Sequence, residues 1–149
     1  MTKNNQPTYP LGEDAGTEVT AASGRKTKDI TLEAIAKGEL NGADLLIKPD
    51  TLLVQARFAR EGSFTQLAEN LERAAELTAV PNDELLRMYE TLRPGRATHA
   101  EMIALAERLE LQFHAPLNAA LVREAAKVYL TRNLVKRPPP PAPMADDTF

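Results

Sequence analysis

The chain has no cysteine, no tryptophan and two histidines. The lack of cysteine removes disulfides, thiolate nucleophiles and zinc-thiolate sites together, and it matches a protein that works in a reducing compartment. His99 and His114 fall near the two ends of one expected helix, outside any HExxH or equivalent spacing, so no imidazole pair is set up to hold a metal. There is no glycine-rich phosphate loop and no GxSxG nucleophile elbow. Long apolar runs are missing, and Met1–Thr8 is polar rather than basic and then apolar; neither a membrane span nor an export signal is expected. Nor is there an excess of positive charge. The 18 basic and 21 acidic residues leave a net charge of -3, which gives no general attraction to nucleic acid or to an anionic membrane. The acidic residues that gather, Glu69, Glu72 and Glu76, share a stripe with Arg73 and read as a charge-balanced solvated face rather than as a general acid and base.

What is present is helical periodicity with clear punctuation. A chain of 149 residues is expected to build one domain around one core, and the glycines and prolines fall almost entirely between its periodic stretches. Residues 1–29 carry only scattered apolar side chains, Tyr9, Leu11 and Val19, too few to offset the entropy of ordering them. An extended N-terminal arm, ordered only against something else, is the expectation.

Six helices follow. Thr31 caps Leu32–Lys37, and Gly38 supplies the left-handed residue after it. The apolar link Leu45-Leu46-Ile47 reads equally as extended chain or as a short strand, after which Asp50 caps Thr51–Glu61 and Gly62 ends it. Ser63 with Gln66 has capping-box spacing for a third helix running to Ala79, with Phe64, Leu67, Ala68, Leu71, Ala74, Ala75 and Thr78 on one face. A fourth spans about Asp83–Leu92, stopped by Pro94-Gly95. Thr98 with Glu101 opens a fifth, striped by Met102, Leu105, Ala106, Leu109 and Phe113. Pro116 suits the first position of a sixth, Leu117 to about Val135. The fold class is therefore all-α: residues 30–136 as a compact, bundle-like body, and 137–149, with Pro138–Pro141 and Pro143, as a solvated, disordered tail.

The sixth helix has two apolar faces. Leu117, Leu121, Val128 and Val135 lie on one, and Ala119, Val122, Ala126, Tyr129 and Leu130 on the other. A single core covers one face well; the other points to a second protein surface, or to cover by a neighbouring helix of the same chain. Two further readings of such a chain are a free-standing helical adaptor and a helix-turn-helix regulator. Against the regulator, the fourth helix sets Arg87 and Arg93 beside Asp83, Glu84 and Glu90 instead of gathering donors for phosphates and bases.

The order of short sequences resembles the small (gamma) subunit family of diol and glycerol dehydratases. The similarity begins at Tyr9-Pro10-Leu11 and runs through DITLEAIAKGEL (Asp29–Leu40), DLLIKPDTLLVQARFA (Asp44–Ala59), NLERAAELTAVPNDELLRMYETLRP (Asn70–Pro94), EMIALAERLE (Glu101–Glu110) and NAALVREAAKVYLTR (Asn118–Arg132). RAAELTAVP followed by a helix closing in LRP is its most specific part. Two departures stand out: Gly95 occupies a position where members of the family carry an aromatic, and only eight residues precede Tyr9, without the longer extension associated with packaging into microcompartments.

The resemblance implies a non-catalytic subunit of a hydro-lyase that turns 1,2-propanediol or glycerol into an aldehyde by radical dehydration. It implies large and medium partner subunits in a dimer of heterotrimers (a heterohexamer), with a reactivating factor acting on the complex. Adenosylcobalamin is then held by the partner subunits and a metal ion by the large one, with neither bound by this chain alone; a DxHxxG-type cobalamin-binding sequence is indeed absent. No nucleic acid or membrane partner is implied. The place of work is the cytoplasm, or a bacterial microcompartment reached through the partner subunits. No catalytic residue is carried over. Interface positions are expected at Tyr9, Leu11, Arg73, Glu76, Tyr89, Arg93, Arg123, Glu124 and Tyr129. For the charged ones the plain alternative is an ion pair within the chain, and for the tyrosines ordinary packing.

Overall fold

The computed structural model describes residues 9–11 and 19–136. Six α-helices account for its regular structure: α1 Leu32–Ala36, α2 Pro49–Glu61, α3 Thr65–Leu77, α4 Asn82–Thr91, α5 His99–Leu111 and α6 Pro116–Thr131. Among the described residues there is no strand, only an isolated antiparallel bridge between Thr20 and Lys26. The fold is all-α, as the periodicity predicts. The chain divides into two compact units, Met1–Pro81 and Asn82–Phe149.

In the first unit, Val19–Asp29 makes a tight reversal. Gly24 turns the chain at φ 88°, and the Ala21 N–H donates to the Arg25 carbonyl at 2.8 Å. What holds this reversal to the helices is the buried carboxylate of Asp44. It accepts from the Ser23 hydroxyl, from Arg25 Nε at 3.2 Å and from the Asn41 N–H at 2.8 Å, the last closing a capping box around the 3-10 turn Gly42–Asp44. Helix α1 is capped as expected, Thr31 accepting from the Ala34 N–H, with Gly38 left-handed at φ 70° behind it. Leu45-Leu46-Ile47 is a link outside any strand, Leu45 closing the 3-10 turn at φ -107°, ψ -4°, and all three side chains are exposed.

Two helix starts differ from the sequence reading. Helix α2 begins two residues earlier, with Pro49 at its first position and Lys48 as an extended N-cap, because the residue before a proline is pushed out of the helical region. Asp50 then stands in the first turn, where its charge favours the positive end of the helix. Ser63 does not cap α3. It adopts φ 64° and completes the reversal after α2, so the N-cap falls to Phe64, which makes no side-chain cap bond. Gly62 is not required by its φ of -81°; a Cβ there would lie 3.1 Å from the exposed Phe64 ring, which would have to give by a few tenths of an ångström. The α2–α3 hairpin closes on Ala56, Ala59 and Ala68, with Leu71 packed alongside.

The second unit is built on the α5–α6 hairpin. Thr98 and Glu101 form the expected capping box, and Pro116 opens α6. Met102, Leu105, Ala106 and Leu109 of α5 are buried, as are Ala119, Val122 and Ala126 of α6. Helix α6 ends at Thr131 instead of near Val135, since Asn133 takes φ 55° and the Leu134 N–H turns back to the Tyr129 carbonyl at 2.8 Å. That is a left-handed C-terminal stop made with asparagine in place of glycine. The following residues run beside the α4–α5 link: Gly95 N–H donates to the Leu134 carbonyl at 2.7 Å, and Lys136 N–H to that of Ala97 at 2.8 Å. Gly95 itself sits at φ 77°, a conformation that an aromatic residue would adopt only with strain. The expected proline-rich tail, 137–149, lies outside the described residues, as do 1–8 and 12–18 of the expected arm.

The Asp44 hub makes the first unit sensitive to acid. Hydrogen bonds from the Asn41 N–H and the Ser23 hydroxyl, with the nearby Arg25 charge, hold its carboxyl below the ordinary aspartate value, against the opposing effect of burial. Between the folded and the unfolded value the unfolded chain binds more protons, so stability rises with pH in that window. The contribution is complete above the unfolded value of about 4 and is lost as pH falls through the folded one. Chemical denaturation repeated from pH 6 downward should therefore show a decline below about pH 4 that is shallower in Asp44→Asn.

Candidate functional site

No side-chain constellation suited to catalysis assembles on the described residues. His99 opens α5 and is partly buried, while His114 lies exposed beyond its end at φ 51°. No group of three or more His, Cys, Asp or Glu side chains among the described residues comes together in a way that would hold a metal ion. The acidic stripe on α3 is tied to structure. Arg60 of α2 grips both carboxylate oxygens of Glu72, one contact measuring 2.8 Å. This hydrogen-bonded pairing holds the Glu72 carboxyl below its usual range and raises the Arg60 guanidinium.

The nine residues singled out in the sequence fall into three groups. Tyr9 and Leu11 line an apolar groove of about 720 Å³ with Phe58, Phe64, Leu67 and Leu71. Tyr9 is 78% exposed yet meets the Phe58 ring edge-on, the centroids 5.8 Å apart. A second group is engaged inside its own unit. Arg73 donates to Asn70 Oδ1, one turn back on α3, and Glu76, partly buried on the same helix, also has a partner. Arg93 pairs with Glu90 at 3.0 Å, and Arg123 of α6 with Glu110 of α5. The Tyr129 hydroxyl donates to the Leu92 carbonyl at 2.7 Å, fastening α6 to the end of α4. For Arg93, Arg123 and Tyr129 these contacts are the plain alternatives weighed above. In the third group, Tyr89 and Glu124 are exposed on α4 and α6.

The expected two faces of α6 separate in part, Val135 falling beyond the helix end. Ala119, Val122 and Ala126 are buried, whereas Leu117, Leu121 and Val128 remain 45, 46 and 39% exposed. Leu130, placed with the inner set from its spacing, is exposed as well. Sequence reasoning missed part of this surface. Phe64 and Leu67 read as core positions of α3 but line the groove, half or more exposed, and Leu86 and Leu111 are exposed without having been singled out. The available signal was the excess of large apolar residues over what hairpins packed on alanine can cover.

Exposed leucines stand on α6 and beside α3, while Arg60, Arg93 and Arg123 are paired within the chain. The family of dehydratase small subunits matches it over residues 4–136. The chain belongs to that family. The propanediol dehydratase small subunits of Citrobacter freundii and Salmonella typhimurium are each 42% identical to it over 128 residues, 86% of this chain and 74% of theirs. As a dehydratase small subunit it belongs to a multi-subunit lyase, which implies partner subunits, and a non-catalytic part fits that family. No helix among the described residues is long and apolar enough to cross a membrane.

Tyr129 of this small subunit gives a direct check on the second unit. Removing its hydroxyl in Tyr129→Phe leaves the Leu92 carbonyl without that donor and should cost about 1 kcal/mol. Urea denaturation followed by circular dichroism reads the difference; no change would mean that water replaces the hydroxyl at no cost.

Proposed function

We propose that the chain is the small subunit of a coenzyme-B12-dependent dehydratase acting on 1,2-propanediol or glycerol, and that it stabilises the large catalytic subunit by packing on it. Membership of the dehydratase small subunit family over residues 4–136 carries this reading. The propanediol named for the two relatives favours that diol as substrate. Adenosylcobalamin, when bound, supplies the radical chemistry. In keeping with the family resemblance, adenosylcobalamin is assigned to the partner subunits and the metal ion to the large one, and no chemical step is assigned to this chain. The whole is a dimer of heterotrimers served by a reactivating factor. It works in the cytoplasm, and inside a microcompartment where the partners carry it there. In this reading 1–29 is the docking arm, its end 19–29 folded back on Asp44 within this chain, 30–136 the subunit body and 137–149 a terminal tail.

The exposed surface suits this role. Leu117, Leu121 and Val128 on α6, and the aromatic groove at the α2–α3 turn, offer apolar area of the kind that subunit contacts bury. The nine interface positions named from the sequence stay part of the proposal, with Tyr9 and Leu11 placed at the groove.

Co-expression with large and medium dehydratase subunits, purified through a tag on this chain, should yield a complex that forms aldehyde from 1,2-propanediol only when adenosylcobalamin is added. Failure of the other chains to co-purify under gentle conditions would sink the subunit reading. In the same system Leu121→Lys should change the stability of the isolated chain by less than about 0.5 kcal/mol, because the position is exposed, while lowering the yield of complex.

A further inference from the structure

The polar bonds of residues 19–48 close on one another. Ser23 and Arg25 reach Asp44, Arg25 Nη2 also reaches the Glu39 carbonyl at 2.8 Å, and Lys48 Nζ reaches the Thr20 hydroxyl at 2.9 Å. The Thr27 N–H and hydroxyl both donate to the Val19 carbonyl at 3.1 Å, and the Asn41 N–H to Asp44 at 2.8 Å. Apolar burial contributes little by comparison: the buried hydrophobic side chains of this stretch are the methyl groups of Ala21 and Ala34. Leu32, Ile35, Leu45, Leu46 and Ile47 are all more than half exposed. In the α2–α3 hairpin the balance is reversed, with Ala56, Ala59, Ala68 and Ala75 buried between helices.

A segment held by a few polar bonds around one buried acceptor opens at lower free energy than one held by packed helices, and it opens as a unit because that acceptor joins Ser23 and Arg25 to the Asn41–Asp44 turn. We infer that residues 19–48 are a separately opening cassette and that the Asp44 carboxylate is its latch. With the latch closed, the five exposed aliphatic side chains stand in fixed positions relative to one another. With it open they are released together while the α2–α3 hairpin stays folded. Asp44 acts as a positioning residue for that aliphatic set.

Hydrogen exchange read by mass spectrometry on the full chain tests this. Asp44→Asn keeps the side-chain volume and removes the charge, and it should speed exchange of the amides in 19–48 by about tenfold or more, leaving those of α2 and α3 within about twofold. Arg25→Gln changes a residue that is partly exposed and should give the same pattern at smaller amplitude, which covers the case in which Asp44→Asn does not fold. Glu72→Gln, which breaks the Arg60 contact between α2 and α3, should do the reverse, quickening the hairpin and sparing 19–48. Equal acceleration of cassette and hairpin in either latch variant would overturn the inference, as would unchanged exchange in 19–48.

Discussion

Alanine at the helix interface is the constraint on which both units rest. Ala56 and Ala59 of α2 meet Ala68 of α3; Ala106 of α5 and Ala119 and Ala126 of α6 are fully buried in the second hairpin. Small side chains let two helices approach toward the lower end of the usual separation of about 8–10 Å, and close approach maximises dispersion contacts between the backbones themselves. It also fixes what happens to the larger residues. A seam that narrow has room for Met102, Leu105, Leu109 and Val122, and the other leucines are placed on its flanks. The exposed face of α6 and the groove beside α3 are thus the reverse side of the same packing choice.

Charge does a different job. Arg60 with Glu72 ties α2 to α3, and Arg123 with Glu110 ties α5 to α6; Glu84, largely buried on α4, receives Arg108 of α5 and lies 3.7 Å from Arg87. Mostly exposed pairs of this kind add little stability, on the order of 0–1 kcal/mol each, but they fix the register of helices whose alanine seams alone would tolerate sliding. Arg60, Arg108 and Arg123, which look available in the sequence, are therefore already engaged, while Leu117, Leu121 and Val128 stay exposed.

The helices were legible because their punctuation is local. Thr31, Gly38, the Thr98–Glu101 box and Pro116 act within one turn of themselves, and each does in the structure what its spacing predicts. Ser63 and Asn133 were misread for the opposite reason: both take left-handed conformations imposed by how the next segment must run, and neither residue type announces that as glycine does. The Asp44 hub could not be read at all, since Ser23 and Arg25 come to it from about twenty residues away. Of the candidate surface, the outer face of α6 was visible from its double stripe. The groove was not, because Phe64 and Leu67 carry the same periodicity as core residues and only the width of the alanine seam decides that they stay outside.

The outer leucines of α6 also bear on the fate of a copy that finds no partner. Three aliphatic side chains along one face of a helix are the kind of surface that chaperones hold and that self-association consumes. In the proposed role an orphan copy would be open to triage, its abundance tied to that of the subunits it packs on. Stoichiometry within the assembly would then be enforced after translation, by the disposal of whatever is left unassembled.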